Sequence, residues 1–276
     1  MPELPEVETI RKTLARFVLG KEIKDIDILW PKIIKKPDDI EQFKYLLIGQ
    51  TFQRMERKGK FLLFYMDDVV MVSHLRMEGK YRVVEKATPI DKHTHVIFHL
   101  TNKEDLRYND VRKFGTMHVF PIGEELIGKP LQKLGPDPFE EDYLFDYVYE
   151  KLQRTSRNIK AALLDQTIIA GLGNIYVDET LFLAQVHPEK RANTLSKQEA
   201  ERIYYYAEKV LLEAVKQGGT TIRSYVDGEG EMGMFQQELY VYGQEKTACR
   251  QCGEMIEKLK VAGRGTHICP SCQPKL

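Results

Sequence analysis

The chain has no apolar run approaching the ~18 residues that suggest a membrane-spanning helix. Its 42% hydrophobic residues are therefore available for ordinary cores. Cysteine is scarce: the four in 276 residues all lie between positions 249 and 272, so disulfides cannot staple the rest of the fold. Net charge is absent, with 41 Lys and Arg against 41 Asp and Glu, which argues at first against a partner recognised by overall basic excess. There is no internal repeat and no low-complexity tract. The acidic opening lacks the basic start of a signal peptide. These absences leave a cytoplasmic chain long enough for two ordinary domains as the expectation.

Neutrality hides segregation. Residues 51–120 carry 13 basic against 9 acidic side chains, residues 245–276 carry 6 against 3, and residues 121–153 carry 3 against 8. Surface fields act over a Debye length of roughly 8 Å, so a basic face on a neutral protein still permits a nucleic-acid partner.

The pattern favours strands from 23 to 120, where IKDIDILW alternates and FLLFYM, VVMVSHL and HVIFHL are short runs rich in β-branched or aromatic residues. It predicts a β-sandwich with an N-terminal helix, whose apolar stripe is Val7, Ile10, Leu14 and Phe17. PIGEELIGKPLQKLGPDPFEED, with four prolines and three glycines, breaks the pattern and reads as a linker. The period then becomes helical in EDYLFDYVYEKL, NIKAALLDQ, YVDETLFLAQ and LSKQEAERIYYYAEKVLLEAVKQGG. The last has Ser196 and Glu199 in capping-box spacing and Gly218-Gly219 as a stop. The fold class expected is α+β with two domains: residues 1–135, a linker at 136–150, a helical region at 151–240 and a metal-held finger at 241–276.

Cys249-Arg-Gln-Cys252, sixteen intervening residues, then Cys269-Pro-Ser-Cys272 is the spacing of a four-cysteine zinc site. Four thiolates leave no open position, so one Zn2+ there is structural. Between the pairs Lys258, Lys260 and Arg264 flank a Gly-Arg-Gly turn, which predicts a basic hairpin with Arg264 pushed outward at its tip; a solvated turn charge is the bland alternative. Lys60, in ERKGKFLLF, sits where a cationic run enters an apolar strand, and could either snorkel or transfer protons. Arg112 and Phe114, two apart in NDVRKFGTMHVF, are expected to share one side of a strand end. With Met77 of HLRMEGK they could form a wedge between bases, or a surface charge beside a core ring. His93, His95 and His99 recur on one strand face, but without a spaced acidic or Cys partner they suit packing or a phosphate contact by His93 better than a second metal. GLGNIYVDE puts Asn174 at a helix start whose exposed amides could hold a phosphate.

The opening MPELPEVETI suits a helix from Pro5 onward, which leaves Met1-Pro2-Glu3 unexplained. Taken with RKGKF, HLRMEGKY, DVRKFGT, GLGNIYVDE and the four-cysteine site with VAGRGTH, the stretch PELPEVE resembles bacterial formamidopyrimidine-DNA glycosylases, in the family's order and over essentially the whole chain. The resemblance implies a helix-two-turn-helix motif between sandwich and zinc finger, with DNA in a cleft between the domains. It implies excision of oxidised purines, such as 8-oxoguanine and formamidopyrimidines, followed by β- and δ-elimination. By the same resemblance, Pro2 is the nucleophile once Met1 is removed, Glu3 the catalytic acid and Glu6 a support for the amine. Lys60 donates protons around β-elimination and binds phosphate, and Arg264 serves δ-elimination. His93, Arg112 and Asn174 contact DNA, while Met77, Arg112 and Phe114 fill the gap left by the flipped nucleotide. Arg112 prefers cytosine opposite the lesion, Gly228 to Gly233 cover the extruded base, and the enzyme acts as a monomer.

Two rivals remain at this stage. Endonuclease VIII shares the fold and removes oxidised pyrimidines, but its opening more often reads PEGPE, whereas Leu4 follows Glu3 here. A zinc-dependent DNA-binding protein without chemistry would need only residues 155–276.

Overall fold

The computed structural model describes residues 1–220 and 235–275; the stretch from Gly228 to Gly233 lies outside the described residues. By contacts the chain divides into two compact units, the first comprising residues 1–2 and 6–132, the second residues 3–5, 133–220 and the C-terminal stretch.

In the first unit, helix α1 (Leu4–Val18) buries Val7, Ile10 and Leu14, with Phe17 packed partly buried against the same core. The strands are β1 (Ile23–Ile28), β2 (Ile34–Lys36), β3 (Arg54–Lys58), β4 (Phe61–Tyr65), β5 (Val69–His74), β6 (Lys80–Glu85), β7 (Thr94–Leu100), β8 (Glu104–Asn109) and β9 (Thr116–Pro121). They form a five-stranded sheet in the order β2-β9-β5-β4-β3 and a four-stranded sheet in the order β1-β7-β8-β6. Ile26, Val96, Phe98, Leu106 and Tyr108 from one sheet and Met55, Leu62, Phe64, Met71 and Val119 from the other share one core. This is the sandwich that alternation predicts. The strand reading misses α2 (Ile40–Leu47), which Asp39 caps by accepting from Gln42 N at 2.7 Å. Phe43 and Leu47, four apart, are its buried side.

In the second unit, α3 (Phe145–Gln153), α4 (Ile159–Leu164), α5 (Asn174–Leu183) and α6 (Lys197–Lys216) surround a core of Leu163, Ile175, Tyr176, Leu181, Ile203 and Leu211. The α6 capping box is complete, Ser196 and Glu199 each accepting from the other's backbone amide. Gly218 and Gly219 end it at φ 74° and 82°. The hairpin β10 (Glu257–Val261) and β11 (Arg264–Ile268) follows. Its turn is Ala262-Gly263, at φ 48° and 75°. Both residues are left-handed, as a type I′ two-residue hairpin turn requires, so the turn lies one residue earlier than Gly-Arg-Gly suggests and Arg264 opens β11. Among the described residues no helix is long and apolar enough to cross a membrane.

Candidate active site

The four cysteine sulfurs lie within 4.8 Å of one another. Cys249 and Cys272 Sγ are 3.9 Å apart and Cys252 and Cys269 Sγ 3.4 Å. Bonds of ~2.3 Å to a tetrahedral zinc space sulfurs about 3.8 Å apart, so the donor set fits that ion. Among the described residues it is the one group of three or more His, Cys, Asp or Glu that could hold a metal. The three histidines do not converge. His93 precedes β7 and donates its amide to Asp91, His95 Nε2 meets Asp110 O at 2.7 Å, and His99 lies between Asp27 and Asp105 at 3.0 and 2.7 Å.

The start of α5 is the most organised feature of the second unit. Its cap residue, Gly173, has no side chain to offer, and the Glu3 carboxylate takes that place: Oε1 accepts from Ile175 N at 3.1 Å and Oε2 from Tyr176 N at 3.5 Å. A Cβ on Gly173 would meet that carboxylate at 2.2–2.5 Å, so the missing side chain is what admits Glu3. Leu4 anchors the same segment through Leu4 N to Gly171 O at 3.2 Å and a fully buried side chain. The two α5 amides expected to hold a phosphate are thus occupied by Glu3. What Asn174 offers is its side chain, whose Nδ2 donates to Gly265 O at 3.0 Å.

Gly265 O also accepts from Lys160 Nζ at 3.1 Å, and Lys160 pairs with Asp178 at 2.6 Å, both side chains having no exposed surface. Burial lowers the Lys160 pKa, opposed by the charges of Asp178 and Glu3, while Arg264 reinforces the fall. Asp178 accepts in addition from His267 N at 2.9 Å. The neighbouring Glu179, also buried, accepts from the amides of Tyr240, Val241 and Tyr242 at 2.8–3.0 Å. Its pKa is raised by burial, against those hydrogen bonds. Burial likewise raises the Tyr242 phenol, against a hydrogen bond with Asn174. Arg264, beside Gly265, is exposed.

In the first unit Pro2, Glu6 and Lys60 are buried. Lys60 follows Gly59 in the turn between β3 and β4. Its charge reaches His74, whose pKa falls to about 3 through burial, then Arg76, then Lys60. Arg112 and Phe114 meet, but not across a strand pleat: they lie in the loop between β8 and β9. Asp110, 1% exposed, gathers that loop by accepting from the amides of Arg112, Phe114 and Gly115 at 3.0, 2.8 and 2.9 Å. The Arg112 guanidinium lies 4.7 Å from the Phe114 ring centroid. Phe114 and Met77 are 53% and 38% exposed, large apolar groups left facing water.

Lys160, Asp178, Glu179, Tyr242 and Asp110 escape a reading by motif. One signal for the acids is in the sequence: NIYVDETLFL is apolar nearly all round yet contains adjacent Asp178 and Glu179, and buried carboxylates require partners.

Sandwich, helical unit and four-cysteine hairpin together define an α+β protein of the zinc-finger-bearing class. Family models agree: residues 1–117 match the formamidopyrimidine-DNA glycosylase N-terminal domain, residues 134–226 its H2TH domain, and residues 248–275 the zinc finger found in FPG and IleRS. The chain is 64% identical over 274 residues to the formamidopyrimidine-DNA glycosylase of Oceanobacillus iheyensis, covering 99% of this chain and 98% of that one. To the enzyme of Bacillus licheniformis it is 56% identical, covering all of both chains. A solved complex of Lactococcus lactis Fpg with abasic-site DNA superposes at a TM-score of 0.92 with 43% identity, over 99% of this chain and 100% of that one. A complex of that Fpg with oxidised-pyrimidine DNA gives 0.91 and 42% over the same shares. The chain belongs to the formamidopyrimidine-DNA glycosylase family. It is a DNA-binding repair glycosylase with one structural zinc, held by Cys249, Cys252, Cys269 and Cys272.

Proposed function

We propose that this glycosylase flips out and excises oxidised purines from duplex DNA, preferentially opposite cytosine, and then cleaves the strand as an AP lyase, working as a monomer in the bacterial cytoplasm. The observation that carries the reading is the α5 start, where Glu3, next in sequence to Pro2, accepts from the amide of Ile175, the neighbour of Asn174, whose side chain in turn reaches Gly265 beside Arg264. Once Met1 is removed, Pro2 is a secondary amine, and at the ordinary α-amino pKa of ~8 a sizeable fraction is unprotonated near neutral pH. Its nitrogen bonds to the sugar C1′ as the glycosidic bond breaks, the base leaving with that electron pair and a proton handled at the ring by Glu3. The amine gives up its proton, Glu3 delivers one to the ring oxygen O4′, and the C1′–O4′ bond opens, its electron pair going to O4′ as the nitrogen lone pair forms the iminium. The iminium acidifies the C2′ proton. Loss of that proton sends its electron pair toward the iminium and breaks the C3′–O bond; loss of the C4′ proton then breaks the C5′–O bond and frees the second phosphate.

In this reading Glu6 positions the amine, Lys60 donates protons and binds phosphate during β-elimination, and Arg264 serves δ-elimination. His93, Arg112 and Asn174 hold the DNA. Met77, Arg112 and Phe114 replace the stacking lost when the nucleotide leaves the helix, a cost of a few kcal/mol, and Arg112 reads the opposite cytosine. The zinc supplies no chemistry to these steps and keeps the hairpin folded.

Excision rates on 8-oxoguanine opposite cytosine and on thymine glycol test the substrate class. Faster release of 8-oxoguanine is expected. Much faster processing of thymine glycol would favour the oxidised-pyrimidine reading, and absence of any strand cleavage would remove the lyase.

A further inference from the structure

Arg264 opens β11 beside Ala262 and Gly263, and its own side chain forms no hydrogen bond or ion pair among the described residues. The next carbonyl, Gly265 O, is unusually well held for a strand end: Lys160 Nζ reaches it at 3.1 Å and Asn174 Nδ2 at 3.0 Å. Two residues on, the His267 amide is held by Asp178 Oδ2 at 2.9 Å, while Asp178 Oδ1 holds Lys160 at 2.6 Å. One buried carboxylate on α5 therefore fixes β11 at two points, directly through an amide and indirectly through a lysine on α4. A charge pair with no exposed surface is costly to bury, and removing one partner of such a pair usually costs more than the pair contributes. Its placement next to a functional tip, remote from any water-facing role, is what needs explaining.

We infer that Asp178, with Lys160, is a positioning residue for Arg264: the pair holds the Gly265 carbonyl and thereby sets where the Arg264 guanidinium stands during the second elimination. The inference rests on the proposed role of Arg264. It concerns the step after base release, so it separates from Pro2 and Glu3. Without the clamp, Gly265 O keeps only the Asn174 contact, and the hairpin, whose strands stay paired through Val261 and Arg264, is free to shift as a unit against α4 and α5. An error of about 1 Å in a group that must meet a reacting atom can lower a rate about 100-fold.

The test is the product ratio on abasic-site DNA, read on a sequencing gel as the unsaturated-aldehyde end left by β-elimination against the 3′-phosphate end left by δ-elimination. Asp178→Asn keeps an oxygen for Lys160 but cannot both accept from His267 N and hold the pair's charge. It is expected to raise the β to δ ratio at least tenfold, with borohydride-trapped adduct and zinc content unchanged. Because a lone buried lysine can unfold the unit, the double variant Lys160→Met with Asp178→Leu, which replaces the pair by apolar groups, is measured beside it and should shift the ratio likewise. Arg264→Ala sets the scale. If Arg264→Ala shifts the ratio and the two folded clamp variants do not, the inference fails while the Arg264 reading stands. If Arg264→Ala itself leaves the ratio unchanged, both fall.

Discussion

Asp110→Asn is the substitution whose outcome follows most directly from the geometry. The Asp110 carboxylate is 1% exposed and accepts three backbone amides, Arg112 on Oδ1 and Phe114 and Gly115 on Oδ2. A carboxamide of the same shape has one oxygen. It can serve Phe114 and Gly115, with two neutral bonds in place of charged ones, but its NH2 then faces the Arg112 amide donor to donor. Hydrogen bonds to charged groups contribute about 1.5–3 kcal/mol each against about 0.5–1.5 for neutral ones, and an unsatisfied buried donor costs about 1–3. Allowing for non-additivity, the loop should lose about 2–4 kcal/mol. That cost falls on the loop first. The amides of Phe114 and Gly115 should lose protection in hydrogen exchange by roughly 30- to 700-fold, since each 1.4 kcal/mol is a factor of ten. Affinity for abasic-analogue DNA should fall as Arg112 and Phe114 lose their common support. Protection at both amides within about threefold of the parent, with unchanged affinity, would refute the view that one carboxylate organises this loop.

Chelation, or Cys269→Ser, should weaken DNA binding more than it lowers the far-UV signal of the strands, because the metal's binding energy folds the hairpin and not the sandwich; unchanged binding in a zinc-free sample would remove that role. His99 gives a pH dependence. Burial opposes its charge, but hydrogen bonds and charges from Asp27 and Asp105 outweigh burial and raise its pKa above the ordinary value. The stabilisation is therefore complete below the unfolded-state pKa of about 6.5 and is lost as pH rises through the higher folded value. Asp27→Asn should reduce the urea midpoint more at pH 5.5 than at pH 9; an equal reduction at both would show that the pair is not ionic.

The alternation of IKDIDILW and HVIFHL, the stripe of α1 and the capping box of α6 are local signals, and each corresponds to its element because period and cap chemistry act over a few residues. The four cysteines were legible for a related reason: zinc imposes its own spacing on the chain. α2 was not, since only Phe43 and Leu47 mark its buried side and eight residues give periodicity little to work with. The Arg112 and Phe114 pairing was foreseen but attributed to a strand pleat, whereas Asp110 and a loop produce it. Least legible was the seating of Glu3 on α5. That contact spans 172 positions, and its only trace is a glycine, Gly173, whose missing side chain makes the room.

In the proposed mechanism the glycosylase acts through its N-terminal proline. Borohydride reduction of the enzyme with duplex DNA carrying 8-oxoguanine opposite cytosine, followed by digestion and mass spectrometry of the adduct, tests it directly. One covalent DNA adduct is expected, on Pro2 of a chain from which Met1 has been removed. Base excision without a trapped adduct, or an adduct mapped to Lys60 or any other amine, would contradict it.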